Sequence, residues 1–341
     1  MMNNTESSND YTSLCGPPKP IEPLLNGISD YYLSLVVPII AHWLTAGVYE
    51  AFRHFRIFEQ YEIHTYEEEQ VCNRVNRGQC LRGVVGIQVM QTLVGLLLGA
   101  VTAEENLDHS CVEILLLQRR IERFLLLSMS TIATVGLSPT PTSVSWAGAN
   151  LALPPKYEVH TSQAARMLYF LVLPLLRFYI ALWLADTWVF FVHRAEHSNR
   201  WLYKTFHARH HELFIPYSWG GIYDHPIESL FLSVGAFAIA IGGTGMSLRE
   251  TMVFSAFSSA KACADHSGYA IPWNPIDFFT TIGAHYHDKH HQRWGIKNNF
   301  ALHFQFWDRI MGTDVRDDEA VEKLYIRNKE AAKAAMLKRQ T

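Results

Sequence analysis

The chain has 341 residues, of which 49% are hydrophobic, 13% aromatic and 18% charged, with a formal net charge of -3. Ordinary soluble domains carry about 25% charged residues, so the deficit points to a surface that meets lipid. A small negative charge supplies no broad basic field, which argues against nucleic acid as a partner.

Residues 1–28, with Asn3, Asn4, Asp10, Pro17, Pro18 and Pro20, lack both a basic start and an apolar run of secretory type and read as a disordered tail. Tyr31 to Tyr49 and Gly83 to Ala103 are apolar and free of Asp, Glu, Lys and Arg, and each reaches about 30 Å as a helix, enough to span hydrocarbon. Between them, residues 50–82 mix Glu67, Glu68 and Glu69 with Arg74, Arg77 and Arg82 and read as a solvated connection. The uncharged stretch 124–155 contains serines, threonines and prolines, so it reads as interfacial, re-entrant or weakly spanning. From Met167 to Val192 a strong apolar run is interrupted by Arg177 and Asp186, which must face protein, water or headgroups. Residues 229–260 form a further apolar stretch around Gly242, Gly243 and Gly245, predicted to be a hairpin that returns the chain to the face it left. After Thr313 the chain is polar and ends in a basic tail suited to the cytoplasmic side. The five cysteines are scattered and lack any C-x-x-C pair, so neither a disulfide framework nor a zinc-cysteine site is expected. The predicted fold class is all-α: an integral membrane helical bundle of about four to six membrane helices with a cytosolic histidine-rich di-metal cap. Its expected divisions are a tail (1–28), membrane helices and connections (29–165), a catalytic domain (166–314) and the basic tail (315–341).

Twelve of the 17 histidines follow residue 190. His193 and His197 stand at i, i+4, one turn apart on one helical face; His207, His210 and His211, and again His287, His290 and His291, stand at i, i+3, i+4, so that each cluster can aim three nitrogens one way. Eight clustered imidazoles exceed the three or four ligands of one zinc, no H-E-x-x-H occurs, and two metals are implied. Imidazole suits iron, copper, nickel and zinc alike. A membrane protein that handles lipid hydrocarbon needs redox chemistry, which favours iron over hydrolytic zinc. Asp186, seven residues before His193, is read either as the partner of a ligand imidazole or as a buried residue paired with Arg177. Glu196, Glu212 and Asp288 beside the clusters admit the same supporting role or plain exposed helix charges. Trp183, Trp188, Phe190 and Phe191 are candidates for an acyl tunnel or for core and interfacial packing. His42, His54, His64, His109 and His160 are isolated and read as structural.

The H-x3-H, H-x2-H-H and H-x2-H-H boxes resemble those of the fatty acid hydroxylase and sterol desaturase superfamily. Asp186-Thr-Trp to His193-Arg, Leu202-Tyr-Lys to His211-Glu, Asp224-His225-Pro226-Ile-Glu228, Asp265-His266-Ser-Gly268-Tyr269-Ala270 and His287 through Asp308-Arg309 resemble fungal sphinganine C4-hydroxylases in particular. The resemblance implies metal ligands at His193, His197, His207, His210, His211, His266, His287, His290 and His291, with His225 as a tenth. His285 and His303 fall outside that pattern. It further implies two non-haem iron ions, dioxygen as co-substrate and a long-chain lipid, most closely sphinganine or dihydroceramide hydroxylated at C4. Electrons would come from NAD(P)H through cytochrome b5 and its reductase, since no flavin or dinucleotide motif is evident, in the endoplasmic reticulum membrane with the site facing the cytosol. Competing readings are a sterol C5-desaturase, a 4-methyl sterol oxidase or a tailoring oxygenase of a sphingoid-like product. From another class comes a non-catalytic zinc-binding membrane protein.

Overall fold

The computed structural model describes residues 14–102, 107–134 and 155–340. Most of the 124–155 stretch, whose membrane disposition the sequence left open, therefore lies outside the described residues. The fold is an all-α membrane bundle. Its long helices are α1 (Asp30–Phe55), α3 (Arg77–Thr102), α4 (Ser110–Thr134), α6 (Leu173–Ser198), α10 (Leu248–Asp265) and α13 (Glu319–Gln340). Shorter ones are α2 (Tyr66–Cys72), α5 (Pro155–Met167), α7 (Arg200–Thr205), α8 (Pro226–Ser229), α9 (Gly235–Thr244), α11 (Ala284–His291) and α12 (Phe306–Met311). Among the described residues four helical segments are long and apolar enough to cross a membrane: Asp30–Phe55, Arg77–Gly99, Glu158–Ser198 and Pro226–Thr244.

Two compact units are present, Met1–Pro23 with Ala103–Arg177 and Leu24–Thr102 with Phe178–Thr341. In the first, Lys19 and Pro20 pair antiparallel with Asp108 and Leu107, and Cys15 is joined to Cys111 by a disulfide. The disulfide corrects the expectation drawn from scattered cysteines: the partners are 96 residues apart, so no local spacing could announce them. Within the same unit α4 packs on α5, where Thr161 donates to Glu122 at 3.2 Å.

The second unit carries the chemistry. In α1 the large exposed side chains Tyr32, Val36, Ile40, Leu44 and Val48 recur every four residues, one helical stripe facing outward. Its buried residues include Asp30, His42 and Ala46. In α3 Val85, Val89 and Leu93 face outward while Val84, Ile87 and Gln88 are buried. Apolar outside and partly polar inside is the pattern of a helix whose solvent is lipid and whose interior holds a site. The two helices are tied by the Trp43 indole N–H, which donates to Gln88 Oε1 at 2.9 Å.

The hairpin runs through α8, a π turn at Leu230–Val234 and α9, then α10. Gly245 ends α9 with φ +62°, a left-handed position that glycine takes without steric penalty, and its N–H closes onto the Ile241 carbonyl. Ser247 and Glu250 then form a capping box that starts α10. This helix packs along α1 and ends at His266, so the residues flanking the hairpin both reach the histidine-rich cap. The connection between α1 and α3 belongs to the cap too: Ile63 N–H donates to the Gly268 carbonyl at 2.8 Å, and Asn73 exchanges two 2.8 Å hydrogen bonds with the backbone of Ile215.

Candidate metal centre

His193 and His197 project from the last turns of α6, His207, His210 and His211 from the 3-10 segment His207–Glu212, His266 from the end of α10, and His287, His290 and His291 from α11. All nine are buried. They form two groups: His193, His197, His207, His211 and His290 in one, and His210, His266, His287 and His291 in the other, each with ring nitrogens all within 4.8 Å of one another. The three-histidine boxes therefore do not each aim one way. In both, the i, i+4 pair shares a group and the i+3 member crosses to the other. In α11 the reason is angular: at 100° per residue, His290 and His291 point about 100° apart, whereas His287 and His291 differ by only about 40°.

Within each group the facing atoms are all Nε2. In the first, His193 and His207 are separated by 3.0 Å, His207 and His211 by 2.9 Å, His211 and His197 by 3.1 Å, and His211 and His290 by 3.1 Å. In the second, His287 lies 3.1 Å from both His266 and His291, and His266 lies 3.4 Å from His210. Two nitrogens each about 2.1 Å from one ion and at right angles across it are about 3.0 Å apart, so this spacing is the edge of a coordination polyhedron. Converging lone pairs on neutral rings repel without a cation between them. The donor set thus fits a metal ion in each group.

The opposite ring nitrogens fix the tautomer. Nδ1–H donates from His193 to the Phe300 carbonyl at 2.9 Å, from His290 to Asn298 at 2.7 Å, from His291 to Leu213 at 2.8 Å and from His266 to Ala262 at 2.8 Å. His207 Nδ1–H donates to the buried Glu228 carboxylate, with Glu196 Oε2 at 3.6 Å, and His210 Nδ1 sits 3.0 Å from Asp224 Oδ1. Proton on Nδ1 leaves the Nε2 lone pair for the metal. Burial, reinforced by the neighbouring imidazoles, holds His207, His211, His287, His290 and His291 well below the usual histidine pKa, and burial brings His266 to about 3. These rings are neutral at pH 7, the state a metal requires.

His225 stands outside both groups, which corrects its place among the expected ligands. Its Nδ1 accepts the Ile227 N–H at 3.3 Å and caps α8, and its ring packs edge-on against Phe206. Asp186 contacts no ligand imidazole: its Oδ1 accepts the N–H groups of Leu302 and His303 at 2.9 and 2.7 Å. Asp308 grips the same loop, accepting from Phe300 and Ala301 at 3.0 and 2.9 Å. Asp308 thus holds the backbone on either side of the Phe300 carbonyl that accepts from His193, and Asp186 holds the next two residues of the loop. Of the box acids, Glu196 and Asp288 are buried, and Glu212 accepts from the Tyr223 hydroxyl. Asp288 receives His64 Nε2 at 2.9 Å and the Tyr325 hydroxyl at 2.7 Å, so His64, isolated in sequence, anchors α11 from 224 residues away. His285 Nδ1 is 3.4 Å from Asp317, and His303 Nδ1 is 3.5 Å from Asp186.

A cavity of about 410 Å³ joins the two groups to the membrane helices. His193, His207, His210, His266 and His287 line its inner end. Leu35, Ile39, Val94, Leu98, Phe237 and Ile241 form much of the rest. The helix α6 contributes Ala185, Val189 and His193, a single stripe at four-residue spacing. Of the two readings of Trp183, Trp188, Phe190 and Phe191, packing fits and the acyl tunnel does not: Trp183 stacks on Phe304, Trp188 donates to the Phe231 carbonyl, and Phe190 and Phe191 pack on Trp307.

The sequence profile described as fatty acid hydroxylase matches residues 178–313. A sphingolipid C4-hydroxylase of Saccharomyces cerevisiae is 30% identical over 306 residues, 89% of this chain and 78% of that protein. Sphinganine C4-monooxygenase 1 of Arabidopsis thaliana is 31% identical over 287 residues, 84% of this chain and 88% of its own. Methylsterol monooxygenase 1 of Rattus norvegicus is 37% identical over a shorter 143 residues, 41% of this chain and 46% of that protein. No solved structure matches.

Proposed function

Because this chain belongs to the fatty acid hydroxylase family, we propose that it is a membrane-bound di-iron monooxygenase hydroxylating a long-chain lipid, sphinganine or dihydroceramide at C4. The observation that carries the reading is the cavity, apolar along the membrane helices and closed at its inner end by imidazoles of both groups. An alkyl chain threaded into it would meet both metal positions. Two irons held by His193, His197, His207, His211 and His290 on one side and His210, His266, His287 and His291 on the other would supply the redox capacity for dioxygen-dependent C–H oxidation.

The protein's own share is positional. Carbonyls hold the Nδ1 protons of His193, His266, His290 and His291, and the Glu228 carboxyl group holds that of His207, so the Nε2 of each of these rings stays unprotonated and aimed inward. The apolar wall excludes water from the reacting carbon and fixes which carbon is presented. Electrons are proposed to come from NAD(P)H through cytochrome b5 and its reductase, with the cap facing the cytosol of the endoplasmic reticulum. The Cys15–Cys111 disulfide supports an oxidising compartment for the two segments that it joins. The methylsterol relative keeps a sterol oxidase as the second reading.

Expression in cells lacking sphinganine C4-hydroxylase, with phytosphingosine as the readout, tests the substrate: restored phytosphingosine is expected, and none with altered sterols would overturn it. Metal analysis of the purified chain tests the centre. Two irons per chain are expected, whereas zinc without iron and without oxygen consumption would move the chain to the non-catalytic class.

A further inference from the structure

Gln88 and Gln91 stand one turn apart on α3, both on the cavity wall. Gln88 is only 8% exposed although it lies in a membrane-crossing segment, where a buried amide has to be explained by what it binds. The orientation of its amide follows from chemistry: the Trp43 indole can only donate, so the atom it meets at 2.9 Å is the oxygen. That leaves Gln88 Nε2, with two N–H donors, without an acceptor among the described residues. Gln91 is oriented the other way: its Nε2 donates to Ser229 Oγ at 2.9 Å, so its Oε1 keeps free lone pairs. A donor and an acceptor thus face one cavity about 4.5 Å apart along the helix axis.

Their depth is fixed from both sides. Ser229 follows Glu228, whose carboxylate takes the Nδ1 proton of His207, so the amides border the metal end. Further along α3 the lining turns apolar at Val94 and Leu98. We propose that Gln88 and Gln91 form the polar subsite that binds the amino alcohol of the substrate, N–H to its hydroxyl oxygen and Oε1 to its hydroxyl or amine proton. The alkyl tail then lies along Val94 and Leu98, and the subsite sets how many carbons separate the polar group from the metals. Within the proposed function this names the feature that selects a long-chain base over a lipid with an unsubstituted chain, and it rests on that reading.

The test compares sphinganine with 3-deoxysphinganine, which lacks the C3 hydroxyl, on the wild type and on Gln88→Met in the full iron-loaded chain. Wild type favours sphinganine in kcat/KM, and the variant is expected to lower that ratio about tenfold, the loss of one hydrogen bond. An equal fall on both substrates would show a packing role only and overturn the subsite, as would an unchanged ratio. Iron content and a single species on size exclusion certify the fold; should Gln88→Met fail to accumulate, Gln91→Met is read in the same way. If wild type turns over neither lipid, the substrate reading fails separately. Thermal stabilisation of the loaded chain by the two lipids then decides the subsite: stronger stabilisation by sphinganine that Gln88→Met abolishes supports it, and equal stabilisation of the wild type by both overturns it.

Discussion

Glu228 and His225 exchange the roles that their residue types suggest. The histidine caps a helix of four residues, while the glutamate closes the same capping box with one oxygen and takes the His207 proton with the other. Glu228→Gln keeps the size of the side chain but leaves one acceptor oxygen where two are used, so the His207 Nδ1–H and the His225 N–H cannot both be received. Metal affinity is expected to fall about 10- to 100-fold, read by competition with a chelator, while His225→Ala should leave it within twofold. The nine gathered imidazoles stood out in the sequence, eight by one-turn spacing and His266 by resemblance alone. Their Nδ1 partners did not, because carbonyls such as Phe300 and Leu213 carry no side-chain signal. His64 is a similar case. Burial alone would depress its pKa, but Asp288 and Glu68 outweigh it and raise it to about 9. Since the folded pKa lies above the ordinary histidine value of 6.5, its stabilisation is complete below pH 6.5 and is lost as pH rises through about 9. The contribution is on the order of 3 kcal/mol, so the stability gap between wild type and His64→Gln should close over that window in denaturant titrations.

The short helix α11 depends on a close approach that only a residue without a side chain permits. A Cβ added at Gly295 would lie 1.9 Å from the Lys289 carbonyl oxygen, in the last turn of α11 between His287 and His291. Gly295→Ala should therefore cost about 1–3 kcal/mol and lower bound metal, because relief of the clash moves the backbone that aims His290 and His291. Metal content together with thermal melting would separate this from a surface effect, which changes neither. At this scale the spanning helices and the turn at Gly245 could be read from hydropathy and glycine placement. The choice of cavity face on α6 could not: Ala185 and Val189 are small and unremarkable in sequence, whereas the conspicuous tryptophans pack elsewhere. The π turns at Leu168–Val172 and Leu230–Val234 likewise have no marker in residue type.

For the molecule as a whole, a cap built from nine converging imidazoles is stabilised by whatever ions they hold. Removing metal with a chelator should lower the melting temperature by several degrees, and iron(II) should restore it, because an ion that binds only the folded cap shifts the folding equilibrium by mass action. A melting point indifferent to chelation would argue against the assigned ligands. The Cys15–Cys111 bond adds a constraint of another kind. Between its ends lie two membrane-crossing segments, Asp30–Phe55 and Arg77–Gly99, among the described residues. Crossing parity follows: both sulfurs can meet only if the chain has passed through the bilayer an even number of times, so a chain with just one of those helices inserted cannot close the loop. A shift in non-reducing electrophoresis that Cys111→Ser abolishes would therefore exclude a single crossing, because chains stopped after one helix cannot show it.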